Sequence, residues 1–164
     1  MMAENERDVA GFTWTAVDEA STVELGRSIA AALRTGDVMA LEGPLGTGKT
    51  RLVRGIAAGL GLEAEVTSPT FSLIHEYGGD PPLCHVDAYR LADGDEFLSL
   101  GISELWEEGI VVIEWASRVA DVLPPETLWI TGEAAAGGRV WRVEPNCPRH
   151  AEALTALTDE PVDR

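Results

Sequence analysis

The chain has 164 residues, 28 of them acidic against 12 basic, a formal charge of −16, and a hydrophobic fraction of 45%. That is one domain of ordinary size with enough apolar material for a core, which argues against a disordered chain, and its acidic surface disfavours a protein that grips nucleic acid through a basic face of its own. No run of 18 apolar residues is present, the charged N-terminal stretch does not resemble a signal peptide, and Cys84 and Cys147 lie far apart without metal or redox spacing. The expectation is a soluble cytoplasmic protein with no membrane contact, a monomer when isolated.

Residues 12–17 alternate in polarity, with Phe12, Trp14 and Ala16 on one side, and predict a half-buried strand. Ser21 followed by Glu24 has the spacing of a capping box; it opens a helix whose Leu25, Ile29, Ala32 and Leu33 share a face and which Gly36 ends. Residues 38–41 read as a central buried strand, leading through a glycine-rich loop into a second helix from Lys49 to about Leu60. Residues 71–77 and 83–87, separated by Gly78-Gly79-Asp80-Pro81-Pro82, suggest a hairpin. Residues 95–108 are acidic and partly helical, and Gly101 interrupts them; the acidic stretch from Asp93 to Glu108 forms a solvated face or a docking surface. Residues 110–113 are the most apolar run and predict another core strand. Strands at 128–130 and 140–143 flank a Gly137-Gly138 turn, and a short helix at 151–157 precedes an acidic tail. The pattern predicts an α/β fold, one three-layer domain over 1–164 with a mixed parallel and antiparallel sheet and flexible ends at 1–10 and 159–164.

Gly43-Pro44-Leu45-Gly46-Thr47-Gly48-Lys49-Thr50 matches GxxxxGK[ST] at every fixed position, between an apolar strand and an amphipathic helix. The glycines let the backbone wrap with its N–H groups inward, and the helix aims the positive end of its dipole at the same point. Lys49 would reach the β- and γ-phosphates of a nucleotide, and the Thr50 hydroxyl would ligate Mg²⁺. A second acid is expected at a strand end. Glu114 closes the run at 110–113 and could contact Mg²⁺ directly or through water, while Asp87 closes the strand at 83–87 and could orient the attacking water or couple a mobile loop to the γ-phosphate. The turn 67–71 suits a phosphate-sensing loop or a plain strand entry, Arg90 suits an ion pair, and His75, His85 and His150 lack ligand spacing. Lys49 is the sole lysine, so the Asn-Lys-x-Asp element that specifies guanine is absent. Scattered arginines give no lid of the kind small-molecule kinases use.

The ordered set formed by residues 43–50, Ser68-Pro69-Thr70, His85-Val86-Asp87-Ala88-Tyr89-Arg90-Leu91, Ile113-Glu114-Trp115 and Leu123-Pro124 resembles the TsaE family, also called YjeE, from about the Ser21 helix to Val143. The resemblance implies a P-loop NTPase fold and a weak ATPase that uses ATP/ADP and Mg²⁺. It further implies support of threonylcarbamoyladenosine formation at position 37 of tRNAs, in a complex with TsaD-like and TsaB-like proteins that leaves tRNA contact indirect. By the same resemblance, Thr50 and Glu114 are the Mg²⁺ ligands, and Gly43, Leu45, Gly46, Thr47, Gly48, Lys49 and Thr50 form the phosphate cradle. Asp87 is the essential acid acting with Lys49 and Glu114, Trp115 is the aromatic after the metal acid, and Thr22, Gly138 and Arg139 lie toward the nucleotide. Pro44 departs from the family's usual acidic residue, at a variable position of the general motif. Two further readings stand beside the ATP hydrolase: a small-molecule kinase with Asp87 as base, and a nucleotide-sensing adaptor without turnover.

Overall fold

Two uncharged runs, residues 38–41 and 110–113, lie side by side in the middle of the sheet, where strands covered on both faces must be apolar throughout. The computed structural model describes residues 11–44, 46–62, 65–69 and 72–159. In chain order the elements are β1 (Phe12–Ala16), α1 (Glu19–Ala30), β2 (Val38–Glu42), α2 (Lys49–Gly59), β3 (Ile74–Tyr77), β4 (Leu83–Asp87), α3 (Gly94–Ser99), α4 (Ile102–Glu108), β5 (Ile110–Glu114), a 3-10 segment (Ala116–Val122), β6 (Leu128–Ala135), β7 (Gly138–Glu144) and α5 (Pro148–Asp159). The sheet order is β1-β7-β6-β2-β5-β4-β3. The inner four strands are parallel, and β1, β7 and β3 join antiparallel.

Strand alternation divides the core into two layers. Met39, Leu41, Ile110 and Val112 pack with Leu25 and Ile29 of α1, Leu52 and Ile56 of α2, and Leu154 of α5. Val38, Ala40, Val111 and Ile113 pack on the other face with Phe97 of α3, Ile102 of α4 and Val119. The expected three layers and mixed sheet are therefore present. Asp37 ties α5 to the start of β2: burial raises its carboxyl pKa, but hydrogen bonds from His150, the Arg34 N–H and Arg149 outweigh that and hold it below the usual range. Burial pushes the Cys84 thiol up to about 12, so it packs as a small apolar group.

Several boundaries differ from the sequence expectation. Helix α1 begins before the Ser21–Glu24 pair, because Asp18, in extended conformation, accepts a 2.8 Å hydrogen bond from the Ser21 N–H and acts as the N-cap. It also ends before Gly36; Ala32 and Leu33 stay buried in two tight turns, and Gly36, at φ +98°, bonds through its N–H to the Gly109 carbonyl. Strand β3 starts at Ile74, since Leu73 turns to φ +66° and accepts from the Asp87 N–H. Phe71, Thr70 and Leu45 lie outside the described residues, as do 1–10 and 160–164 of the expected flexible ends, whereas Asp159, expected in the second of them, closes α5. Helix α5 starts at Pro148, whose missing N–H costs nothing in a first turn. The 3-10 segment after β5 was not expected.

Helices α1 and α2 approach so closely that only glycines fit. A Cβ on Gly55 would lie 2.1 Å from the Val23 carbonyl oxygen, and one on Gly26 would lie 2.3 Å from that of Leu52. Gly55→Ala should therefore destabilise the protein by about 1–3 kcal/mol, the usual cost of overpacking, although alanine alone favours helix by about 1 kcal/mol. Urea unfolding would show a lowered midpoint; a raised one would mean that the helices separate freely.

Candidate nucleotide site

Strand β2 ends at Glu42 and α2 begins at Lys49, so the loop must reverse direction in six residues. Gly46 and Gly48 do so at φ +83° and +104°, in the left-handed region that other residues avoid. Gly48 is also the N-cap of α2, and no side chain caps that end, whereas Asp18 and Asp93 cap α1 and α3. The first N–H groups of α2 thus remain available to an outside acceptor. Gly43 packs tightly on β6: a Cβ there would lie 2.9 Å from the Gly132 carbonyl oxygen. Thr47 donates its hydroxyl proton to the Pro44 carbonyl, and Arg139 Nη2 donates to the Gly46 carbonyl at 2.7 Å.

Lys49 is buried, and Nζ donates to the Gly43 carbonyl at 2.7 Å while lying 3.6 Å from the centroid of the Trp115 ring. Burial lowers its pKa, against the opposing charges of Glu114, Glu42 and Asp87. Asp87 and Glu114 face each other in register on β4 and β5, and alternation turns both to the α2 side of the sheet. Burial and the Glu114 charge raise the Asp87 carboxyl pKa, although Oδ1 accepts from the Tyr89 N–H at 2.9 Å. Glu114 Oε2 lies 3.1 Å from Nε2 of His85, which is wholly buried. Trp115 adopts φ +60°, uncommon for a bulky residue, and its ring meets that of Tyr89 at 5.0 Å.

These groups surround a cavity of about 500 Å³, within the range of ligand pockets, lined by Gly46, Gly48, Lys49, Thr50, Arg51, Arg54, Ser68, Asp87, Tyr89, Arg90, Glu114 and Trp115. Of the expected site residues, Gly43 and Thr47 shape the loop without lining the cavity, while Gly46, Gly48, Lys49, Thr50, Asp87 and Glu114 meet there. Thr22 does not: its side chain is 2% exposed and accepts from the Trp141 indole N–H at 3.4 Å, away from the cavity wall. Gly138 also stands apart, because β7 passes so close to β1 that a Cβ would lie 2.1 Å from the Ala16 carbonyl oxygen. Arg139 reaches the loop rather than the cavity. Arg51, Arg54 and Tyr89 were not singled out individually from sequence, although Arg51 and Arg54 follow the loop on the first turns of α2. Arg54 Nε donates to the Val66 carbonyl at 3.1 Å, which holds the segment bearing Ser68 beside the loop. His75 and Tyr77 grip the same segment at Thr67.

A family model described as "Threonylcarbamoyl adenosine biosynthesis protein TsaE" matches residues 16–140. The chain is 42% identical over 118 residues to the tRNA threonylcarbamoyladenosine biosynthesis protein TsaE of Treponema pallidum, covering 71% of this chain and 87% of that one. It is 44% identical over 118 residues to the protein of that name in Streptomyces coelicolor, with 70% and 80% covered. The crystal structure of Bacillus subtilis YdiB superposes with a TM-score of 0.78 at 32% identity, covering 91% of this chain and 95% of that one. With the family model matching most of the chain, and the phosphate loop and both strand-end acids inside the matched span, the chain belongs to the TsaE family.

Proposed function

We propose that this TsaE-family chain binds Mg-ATP beside the phosphate loop and hydrolyses it slowly, in support of tRNA threonylcarbamoyladenosine biosynthesis. The observation that carries the reading is the convergence of Lys49, Thr50, Asp87 and Glu114 on one cavity next to an uncapped helix N-terminus. The donor set suits the ligand. Among the described residues no three His, Cys, Asp or Glu side chains are grouped to hold a metal by themselves. The Thr50 hydroxyl and the Glu114 carboxylate are instead two hard oxygen donors, as Mg²⁺ shared with phosphates requires. Mg²⁺ held by Thr50 and Glu114 would neutralise charge developing on the nucleotide's phosphate oxygens.

The chain's own groups divide the remaining work. The α2 N–H groups and Lys49 bind the phosphates, with Lys49 exchanging the Gly43 carbonyl for phosphate oxygens. Asp87, its affinity for protons raised by burial, accepts a proton from the attacking water through the oxygen that Tyr89 leaves unengaged. Trp115 and Tyr89, their rings 5.0 Å apart, form one wall of the cavity. The charge of −16 supports a role in which TsaD-like and TsaB-like partner proteins touch tRNA and this chain does not. No described helix is long and apolar enough to cross a membrane; we place the protein in the cytoplasm with its substrate pathway.

Glu114→Ala tests the metal site. Calorimetry should show ATP affinity in Mg²⁺ falling by about 10–100-fold, the equivalent of one charged contact, with metal-free binding little changed. An equal loss in both conditions would remove Glu114 from the metal. ADP release that requires an added small acceptor would turn the reading toward a kinase, and nucleotide-dependent partner binding without turnover would turn it toward an adaptor.

A further inference from the structure

We propose that His85 is a positioning residue for Glu114, fixing the carboxylate in the orientation in which it receives Mg²⁺. The proposal rests on the Mg-ATP reading above. His85 precedes Asp87 by two residues on β4, so the two side chains share a face, and β4 pairs with β5 such that Asp87 stands opposite Glu114. One strand therefore supplies both an acid of the site and the support of the other acid. His85 is 0% exposed and Glu114 4%, and the Nε2 to Oε2 distance is 3.1 Å. An ionised carboxylate only accepts, so Nε2 carries the proton. Nδ1 has no hydrogen-bond partner among the described residues.

A wholly buried imidazole with one ring nitrogen unsatisfied costs free energy, and the residues beside it on the same face of the sheet, Leu83 and the paired Val112, show that the core accepts apolar groups there. The ring's recorded hydrogen bond goes to Glu114. With Oε2 engaged, Oε1 is the oxygen left for a cation, and the carboxylate is restrained from turning toward the Lys49 ammonium, whose charge it feels. Outer partners of metal ligands act in this way, and their loss commonly weakens metal binding 10–100-fold.

The test uses the full chain with His85→Gln, His85→Asn and His85→Leu, measuring by calorimetry ATP affinity across a Mg²⁺ titration, ATP affinity without metal, and the unfolding midpoint. Glutamine carries an amide N–H at about the reach of Nε2; asparagine falls one bond short. The expected result is a Mg²⁺ requirement raised about tenfold in the Asn and Leu variants and within about twofold of the parent in the Gln variant, with metal-free ATP affinity held in all three. If the Leu variant does not fold, the Asn and Gln pair decides. An unchanged Mg²⁺ requirement in Asn, a Gln variant as weak as Asn, or metal-free affinity falling in step with it would overturn the positioning role. Glu114→Ala measured in parallel separates the failures: if it loses Mg²⁺ dependence while the His85 variants keep theirs, only this proposal falls. If it leaves Mg²⁺ dependence intact, the metal reading falls and the positioning role with it.

Discussion

Replacing Lys49 with alanine is expected to weaken ATP binding by about a hundredfold or more while the protein stays folded. Hydrogen bonds to charged groups contribute about 1.5–3 kcal/mol each, and an ammonium shared by two phosphates makes at least two of them, at about 1.4 kcal/mol per factor of ten. Folding should survive for a separate reason. Burial already disfavours the Lys49 ammonium, which holds one backbone carbonyl and one aromatic face, so its removal relieves a desolvated charge as well as deleting two contacts. Calorimetry with Mg-ATP and a thermal melt on the same preparation would check both halves. Undiminished affinity would show that phosphate does not bind at this loop.

Asp87→Asn should separate binding from chemistry: ATP affinity kept within a few fold, and hydrolysis slowed by about 10²–10⁴, the usual contribution of a positioned general base. Stability should move the other way. Burial raises the Asp87 carboxyl pKa, so the folded state holds this proton more tightly than the unfolded chain does. As pH rises from the unfolded value of 3.8 toward the folded one, the group removes stability, and the penalty persists at neutral pH. Asparagine carries no such charge beside Glu114, so the variant should melt above the parent at pH 7 and lose that advantage in acid. Single-turnover ATP hydrolysis and melting curves at two pH values would test the pair. Lost ATP affinity with normal turnover per bound nucleotide would make Asp87 a binding residue instead.

The parts of the site legible in the sequence are those fixed by short spacing. Residues 43–50 carry a motif whose geometry depends on neighbouring residues alone, and Asp87 and Glu114 stand out because a charge ends an apolar run. The contacts that complete the site join distant segments. Arg139 meets Gly46 across 93 positions, and His85 meets Glu114 across 29. The spacing of His85 along the chain shows no partner because Glu114 lies on the adjacent strand. The same limit applied to Lys49 and Trp115, which stack only because Trp115 bends back in a left-handed conformation after β5. At α1 the extended Asp18 takes the N-cap role that the Ser21–Glu24 spacing assigned to Ser21. Thr22 was assigned from resemblance alone, and its burial against Trp141 follows from a pairing of β7 that local sequence does not reveal.

Among the described residues, strand β1 pairs with β7 alone, Phe12 opposite Val143. On the ribosome, the first strand described here must wait without a partner until almost all of the domain has emerged, and Arg139 arrives on the same late strand to meet the phosphate loop. Closure of the sheet edge and completion of the loop are therefore one event in synthesis. A nascent chain stalled before residue 138 would expose an unpaired β6 edge and carry a loop lacking its arginine contact.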